Sequence, residues 1–438
     1  MPQAPASAGR RASWTAWFDA QRRWWAARLL PVALCVLFGF VVIKAGSTDM
    51  TFDEAWTFLS YGRSPLGFTT LDLANDHPLN SILIFLATRL FGDSELVVRL
   101  PNILAGALYL ASSATIVRHS RFKLASFAIC ALQPFFLDYF SLARGYGIAV
   151  ALVQYGLAQH FAIGQGARRF PMLLGATLLA SLSIFSTVVV LYALVAAHAL
   201  VGLWPRRSTG VALSKLPWAD GSIVFLVLGL APVAGLIWVS RRGLPLYGSQ
   251  AGFFDSVALS FARMYVPADW AFAAAVTGIV LLVLTLLASL RALRAQTATL
   301  LLTVMLALAA VFVSARVLGR PLPTGRVLLP WVPVWNLAVI GLLDDAAASW
   351  PRARPAWLAL PSVALAGAIA LAFSTRLHFS SANDWGAYAA LQPRLVQALV
   401  NRRCLPPDVA GDYGQLYYIH RWFPPGQPPA EPPCPAGQ

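Results

Sequence analysis

Apolar residues in this chain come in repeated blocks of roughly 17 to 22, each long enough to cross a ~30 Å hydrocarbon layer. No other feature constrains the fold as tightly. Charged residues make up only 12% of the 438 positions and hydrophobic ones 58%, whereas soluble domains carry about 25% charged residues. One large water-soluble core does not account for that deficit. Inside lipid each backbone N–H and C=O needs a partner, and runs of this length meet the need as helices. The blocks fall at 29–45, 99–117, 124–140, 147–164, 171–186, 188–204, 221–239, 271–290, 297–315, 328–343 and 356–374. They predict an all-α polytopic membrane protein with about eleven transmembrane helices.

The net charge is +15, from 33 Lys and Arg against 18 Asp and Glu. The basic residues are scattered in short clusters between apolar blocks, which is the pattern of loops at a charged membrane face and gives no sign of a nucleic-acid partner. An odd number of spans puts the N-terminus inside and the C-terminus outside. Seventeen Lys and Arg then lie on the inner side, including Arg10, Arg11, Arg118, Arg168, Arg206, Arg291 and Arg352, and 11 lie in the outer loops. That excess has the positive-inside sign. Residues 79–92 are apolar but short and carry Arg89, so they read as an interfacial helix and not as a span. Residues 46–98 thus form one long outer loop with interfacial helices. Residues 1–374 form the transmembrane domain, and 375–438 a small polar tail on the outer side. In an oxidising compartment Cys404 and Cys434 are expected to form a disulfide. Cys35 and Cys130, inside apolar blocks, read as small buried side chains. His160, His198 and the tail aromatics Tyr413, Tyr417, Tyr418 and Trp422 read as packing residues.

The residues suited to chemistry gather on the outer side. Directly after the first span comes Thr51-Phe52-Asp53-Glu54-Ala55-Trp56, and two adjacent carboxylates beside lipid are costly unless solvated or paired. Partial desolvation at such a boundary suits a carboxylate to act as a general base. The loop continues through Asn75-Asp76-His77-Pro78-Leu79-Asn80, then Phe91-Gly92-Asp93-Ser94-Glu95 and Arg99-Leu100-Pro101. Asp138-Tyr139 ends the third block, Ala143-Arg144-Gly145-Tyr146 follows it, and a late outer loop holds Arg316, Arg320 and Gly325-Arg326-Val327-Leu328-Leu329-Pro330. Neither a G-x-x-x-x-G-K-[ST] nor a G-x-G-x-x-G motif occurs, so nothing points to bound nucleotide.

In this order the motifs resemble those of the GT-C superfamily of polytopic glycosyltransferases. The likeness is to bacterial proteins similar to protein O-mannosyltransferases and to the aminoarabinose transferase of lipid A. Those sequences carry an Asp-Glu pair after the first span, Asp-x-His-Pro-Pro before a short interfacial helix, Phe-Gly-x-Ser-Glu, Arg-Leu-Pro, Ala-Arg-Pro-Tyr, and a late Arg-Tyr-Leu-Leu-Pro-like stretch. The resemblance is dense over 51–147 and recurs at 325–330. Two departures stand out: Leu79 replaces the second proline after His77, and Gly145 stands where proline is usual. Either can shift substrate preference, and neither removes a titratable or cationic group.

The resemblance implies an inverting transferase in the bacterial inner membrane. It takes a sugar from a polyprenyl-phosphate donor on the periplasmic face and passes it to a cell-envelope acceptor: a lipid-linked glycan, lipopolysaccharide or polysaccharide. It implies Asp53 as the base, with Glu54 as a second choice or as the partner of an arginine, and Asp138 as a further acid. A lipid phosphate leaving group calls for cations, and arginine's planar fork suits phosphate oxygens. Arg326, Arg144 and Arg320 are the candidates, with His77 beside them. Arg316, Arg241 and Arg242 are weaker candidates that also read as headgroup anchors, and Arg99 is expected to pair within the first loop. No cofactor is required; a divalent metal is left open, with Asp53, Asp138 and His77 as ligands lacking a recognised spacing. The rival class is a transporter or flippase of polyprenyl-linked sugars, which would place ionisable groups at mid-membrane depth.

Overall fold

The computed structural model describes residues 28–63, 77–162, 169–203, 224–225, 227–231, 233–234, 248–349, 356–377, 416–418 and 421. Helices make up most of these residues, and their one extended pairing is an isolated bridge between Ser249 and Leu322. The described helices are α1 (Leu30–Ser47), α2 (Phe52–Thr57), α3 (Pro78–Phe91), α4 (Glu95–His119), α5 (Lys123–Ala131), α6 (Pro134–Phe140), α7 (Gly145–Ala162), α8 (Arg169–Ser183), α9 (Thr187–Leu203), α10 (Leu259–Tyr265), α11 (Ala271–Ser289), α12 (Ala295–Leu318), α13 (Val332–Ser349) and α14 (Ala356–Ser374). A π-helical turn, Phe58–Gly62, extends α2, and a 3-10 turn, Gly325–Trp331, leads into α13.

Among the described residues five helical stretches are long and apolar enough to cross a membrane: Leu30–Ser47, Glu95–His119, Ala268–Ala292, Ala295–Val317 and Gly325–Ser349. Their positions in the bundle differ. Gly325–Ser349 is 78% buried and central, whereas Ala268–Ala292 is 11% buried and turns Val280, Leu281, Val283, Leu284 and Leu287 outward. An apolar helix exposed on nearly every side is stable only with lipid around it. The main core runs between α4, α6, α7, α8 and α13 through Tyr109, Phe136, Phe140, Leu157, Leu173 and Leu337.

The expected unbroken span at 124–140 is corrected by the structure. Pro134 has no N–H and disfavours helix at the preceding residue; Gln133 is extended (φ −111°, ψ 103°) and opens α6. After α6 the chain turns through 115° into α7, so Pro134–Phe140 and Gly145–His160 are a sharply bent pair and not one straight span. The blocks at 171–186 and 188–204 form the shorter helices α8 (15 residues) and α9 (17 residues). The block at 221–239 lies mostly outside the described residues, as do Arg241, Arg242, Tyr413, Trp422 and the Cys404–Cys434 pair. Cys35 is also corrected: it is exposed on the outer side of α1, while Cys130 is buried as expected.

The two ends of the bundle are tied separately. At one end Arg294 pairs with Asp345, its N–H donating to the same carboxylate at 3.1 Å, and the Arg121 N–H donates to Asp344 at 3.0 Å. At the other end Arg99 reaches the carbonyls of Ala45, Thr48 and Asp49, and the Ser186 hydroxyl donates to the Val327 carbonyl at 3.1 Å. Loops that the charge pattern assigns to one face therefore share one end. The apolar segment 79–92 fits this scheme. It forms the 14-residue α3, about 21 Å long at 1.5 Å per residue. His77 at its start packs on Tyr146. Beyond its other end the Asp93 carbonyl accepts from Tyr417, whose neighbour Tyr418 accepts from the Met50 N–H. Both ends of α3 meet the same layer of the protein.

Candidate active site

The Asp53-Glu54 pair, expected in a loop, lies on the short helix α2. Thr51 is extended and caps the helix: its hydroxyl accepts from the Glu54 N–H at 3.4 Å, and Glu54 Oε2 accepts from the Thr51 N–H at 3.0 Å. This reciprocal box satisfies two orphan donors at once and fixes the direction in which α2 leaves α1.

Arg99 locks the box in place. Its Nε donates to Glu54 Oε1 at 2.8 Å and its Nη2 to Glu54 Oε2 at 2.9 Å. Nη1 donates to the Ala45 and Thr48 carbonyls at 2.8 and 2.6 Å, and Nη2 also reaches Asp49 at 3.1 Å. All five guanidinium protons are thereby used. Glu54 Oε1 also accepts from the Ala143 N–H at 2.6 Å, so its four acceptor positions are filled too. Burial pushes the Glu54 carboxyl up, but the Arg99 charge and the hydrogen bonds from Arg99, Ala143 and Thr51 outweigh it and bring it below the usual carboxylate range. Saturated in this way, Glu54 has the second of its two expected roles, that of partner to an arginine.

Asp53, one residue earlier, faces a different environment. Its Oδ2 lies 3.2 Å from Arg144 Nη2 and 3.1 Å from Arg326 Nη1. Arg144 Nη1 also donates to the Asp53 carbonyl at 3.1 Å and to the Thr57 hydroxyl at 3.3 Å. Asp53 is 7% exposed and Arg144 2%. The Glu54–Ala143 bond sets this geometry, because it ties the residue after Asp53 to the residue before Arg144. Arg326 also bonds the Tyr139 hydroxyl. Three of the residues singled out in the sequence, from three separate segments, thus converge on one carboxylate oxygen.

The others are placed as follows. His77 is 5% exposed, hydrogen-bonded to the Ser183 carbonyl and edge-on to Tyr146 at 5.5 Å. Burial, with the charges of Arg144 and Arg326, pulls its pKa well below the ordinary histidine value, against the pull of the Ser183 bond. Gly145 permits this arrangement: a Cβ there would lie 2.5 Å from the Ser183 carbonyl and 2.8 Å from His77 Cβ. Asp138 pairs with Lys44 at the end of α1, and both are buried. Arg320 is exposed on the turn after α12 and forms no ion pair with the described residues, and Arg316 lies over the Phe312 ring. Among the described residues no three His, Cys, Asp or Glu side chains gather as a metal-ligand group. Tyr417 and Tyr418 pack with Met50, Phe58, Ile84 and Val98, and His160 and His198 pack on Phe170. Sequence reasoning missed Lys44, Thr57 and Ser183, and gave Tyr139 no role. A lysine at a span end and scattered hydroxyls are common, and nothing in their spacing marks them.

No protein-family model matches the chain, and no curated protein matches it. Two crystal structures of ArnT from Cupriavidus metallidurans do, each at 17% identity. The form bound to undecaprenyl phosphate matches over 90% of this chain and 84% of its own, with a TM-score of 0.51. The apo form matches over 92% and 85%, with a TM-score of 0.53. The likeness is one of fold. Over about nine-tenths of its length this chain has the polytopic helical fold of the ArnT structures.

Proposed function

We propose that the protein is a glycosyltransferase that moves a sugar from a polyprenyl-phosphate donor to a cell-envelope acceptor on the periplasmic face, with inversion at the sugar carbon. The observation that carries the reading is the single Asp53 oxygen held between the guanidiniums of Arg144 and Arg326. Charge balance supports it. Arg144, Arg326 and Asp53 sum to one positive charge, while the nearby Glu54–Arg99 and Asp138–Lys44 pairs are neutral. A buried net charge is unfavourable without a counter-ion, and a sugar phosphodiester brings one negative charge. Arg144 Nε is buried without a partner, so a donor proton is free for a phosphate oxygen.

The chemistry follows from these groups. Asp53 takes the proton of the acceptor hydroxyl as its oxygen attacks the sugar carbon from the face opposite the phosphate. The carbon–oxygen bond to phosphate breaks, and its electron pair stays on the phosphate. The leaving group becomes a monoester with a second charge while Asp53 becomes neutral, so the site stays balanced. The guanidiniums meet the charge where it develops. The reading is tested by mass spectrometry of envelope lipids and glycans from cells with the gene, without it, and with Asp53→Asn. One sugar substituent should vanish without the gene and fail to return with the variant. Movement of polyprenyl-linked sugar across vesicles with no acceptor glycosylated would instead support a flippase.

A further inference from the structure

Among the buried polar atoms of the site that lack a hydrogen-bond partner, two are opposite in kind. One is Arg144 Nε, which carries a proton; the other is His77 Nε2. The His77 ring makes a hydrogen bond to the Ser183 carbonyl, and since Nε2 is unpartnered that bond comes from Nδ1. A carbonyl only accepts, so Nδ1 holds the ring proton and Nε2 presents a lone pair. Arg144 and Arg326 beside the ring oppose a second proton. The ring cannot turn away cheaply, because it is buried, packs against Tyr146 and closes on Gly145 with no room for a side chain between them. An acceptor held dry and empty costs about 1–3 kcal/mol, which a ligand hydroxyl would offset.

We propose that His77 Nε2 accepts a hydrogen bond from a hydroxyl of the donor's sugar, beside the phosphate held by Arg144 and Arg326; this rests on the reading of the site given above. A phosphodiester has no proton to offer this nitrogen, whereas Arg144 Nε–H has the polarity that phosphate needs. With the Arg144 charge acting on the His77 ring, one free donor and one free acceptor match a phosphate next to a sugar hydroxyl. His77 therefore belongs with sugar recognition and not with phosphate binding.

The test uses the full chain in lipid nanodiscs. The probes are undecaprenyl phosphate and undecaprenyl phosphate carrying mannose, glucose, galactose or aminoarabinose. Wild type should bind one sugar-bearing lipid about tenfold more tightly than the bare carrier. His77→Phe should keep the bare carrier's affinity within about twofold and lose that preference, since a single hydrogen bond is worth about tenfold. His77→Gln, whose amide oxygen accepts, should keep part of it. Bare-carrier binding also reports that each variant is folded. Arg326→Ala separates the two readings: unchanged binding of the bare carrier would remove the phosphate site itself. If Arg326→Ala weakens the bare carrier and His77→Phe does so equally, His77 is a phosphate ligand and the inference is overturned while the site stands. A sugar preference that survives in His77→Phe, or none in wild type, overturns it as well.

Discussion

Two arginines with different hydrogen-bond inventories divide the labour around α2. Arg99 has every proton satisfied inside the protein, and Arg144 keeps one buried proton unpartnered. Truncating one member of the Arg99–Glu54 pair strands the other charge, so Arg99→Met should cost about 3–5 kcal/mol, read as a lower unfolding midpoint. The double variant Arg99→Met, Glu54→Leu should cost less than that single change, because no charge is left alone. His77 predicts a pH effect of definite sign. Its folded pKa is below its unfolded value of about 6.5, so below pH 6.5 the unfolded chain holds the extra proton. Stability should therefore fall on acidification from pH 6.5 by up to about 1.4 kcal/mol per unit, and His77→Phe should flatten that slope in melts between pH 7 and 5. Asp53, Arg144 and Arg326 were legible in the sequence because ionised groups beside lipid are expensive and need a reason. Their pairing was not, since it joins positions 91 and 273 residues apart. Sequence order alone does not distinguish a saturated acid such as Glu54 from a reactive one such as Asp53.

At the scale of elements, the site depends on where helices stop. Pro134 ends α5, the chain re-enters as α6, and the 115° turn into α7 delivers Ala143 and Arg144 to α2. Gly145 begins α7 where no Cβ fits. Gly145→Ala should push His77 and the Ser183 carbonyl apart and reduce transfer by tenfold or more, on the order expected for displacing a positioning group by an ångström. Gly278→Ala, with nothing within 4 Å of its Cβ, should be neutral in the same assay. Hydropathy alone located α1, α4, α11, α12 and α13, because a long apolar run has few other fates. It missed the break at Pro134, since both halves are equally apolar, and it left α2 as a loop although Thr51 and Glu54 carry the capping-box spacing. The 14-residue α3 was legible from its length.

For the whole molecule, grouping loops by end leaves a single binary choice of orientation, and the Lys and Arg excess predicts the one with the Asp53 cluster outside. A cysteine placed at Gly92 should react with a membrane-impermeant thiol reagent in intact cells, and one at Arg121 should not; the reverse pattern would invert the site to the cytoplasmic face. Under the same orientation Cys404 and Cys434 should appear as one linked peptide on non-reducing mass spectrometry. The ArnT-like fold supplies a bundle whose one end gathers an acid, two arginines and a buried histidine from segments far apart in sequence. That Asp53 activates the acceptor while Arg144 and Arg326 hold the phosphate is the central claim. It is tested most directly by the rate at which purified protein transfers sugar from donor lipids extracted from cells lacking the gene, comparing wild type with Asp53→Asn at matched melting temperature. The account predicts a fall of at least about a hundredfold, the contribution of a positioned general base, with binding of undecaprenyl phosphate retained. Transfer by Asp53→Asn at the wild-type rate would contradict it.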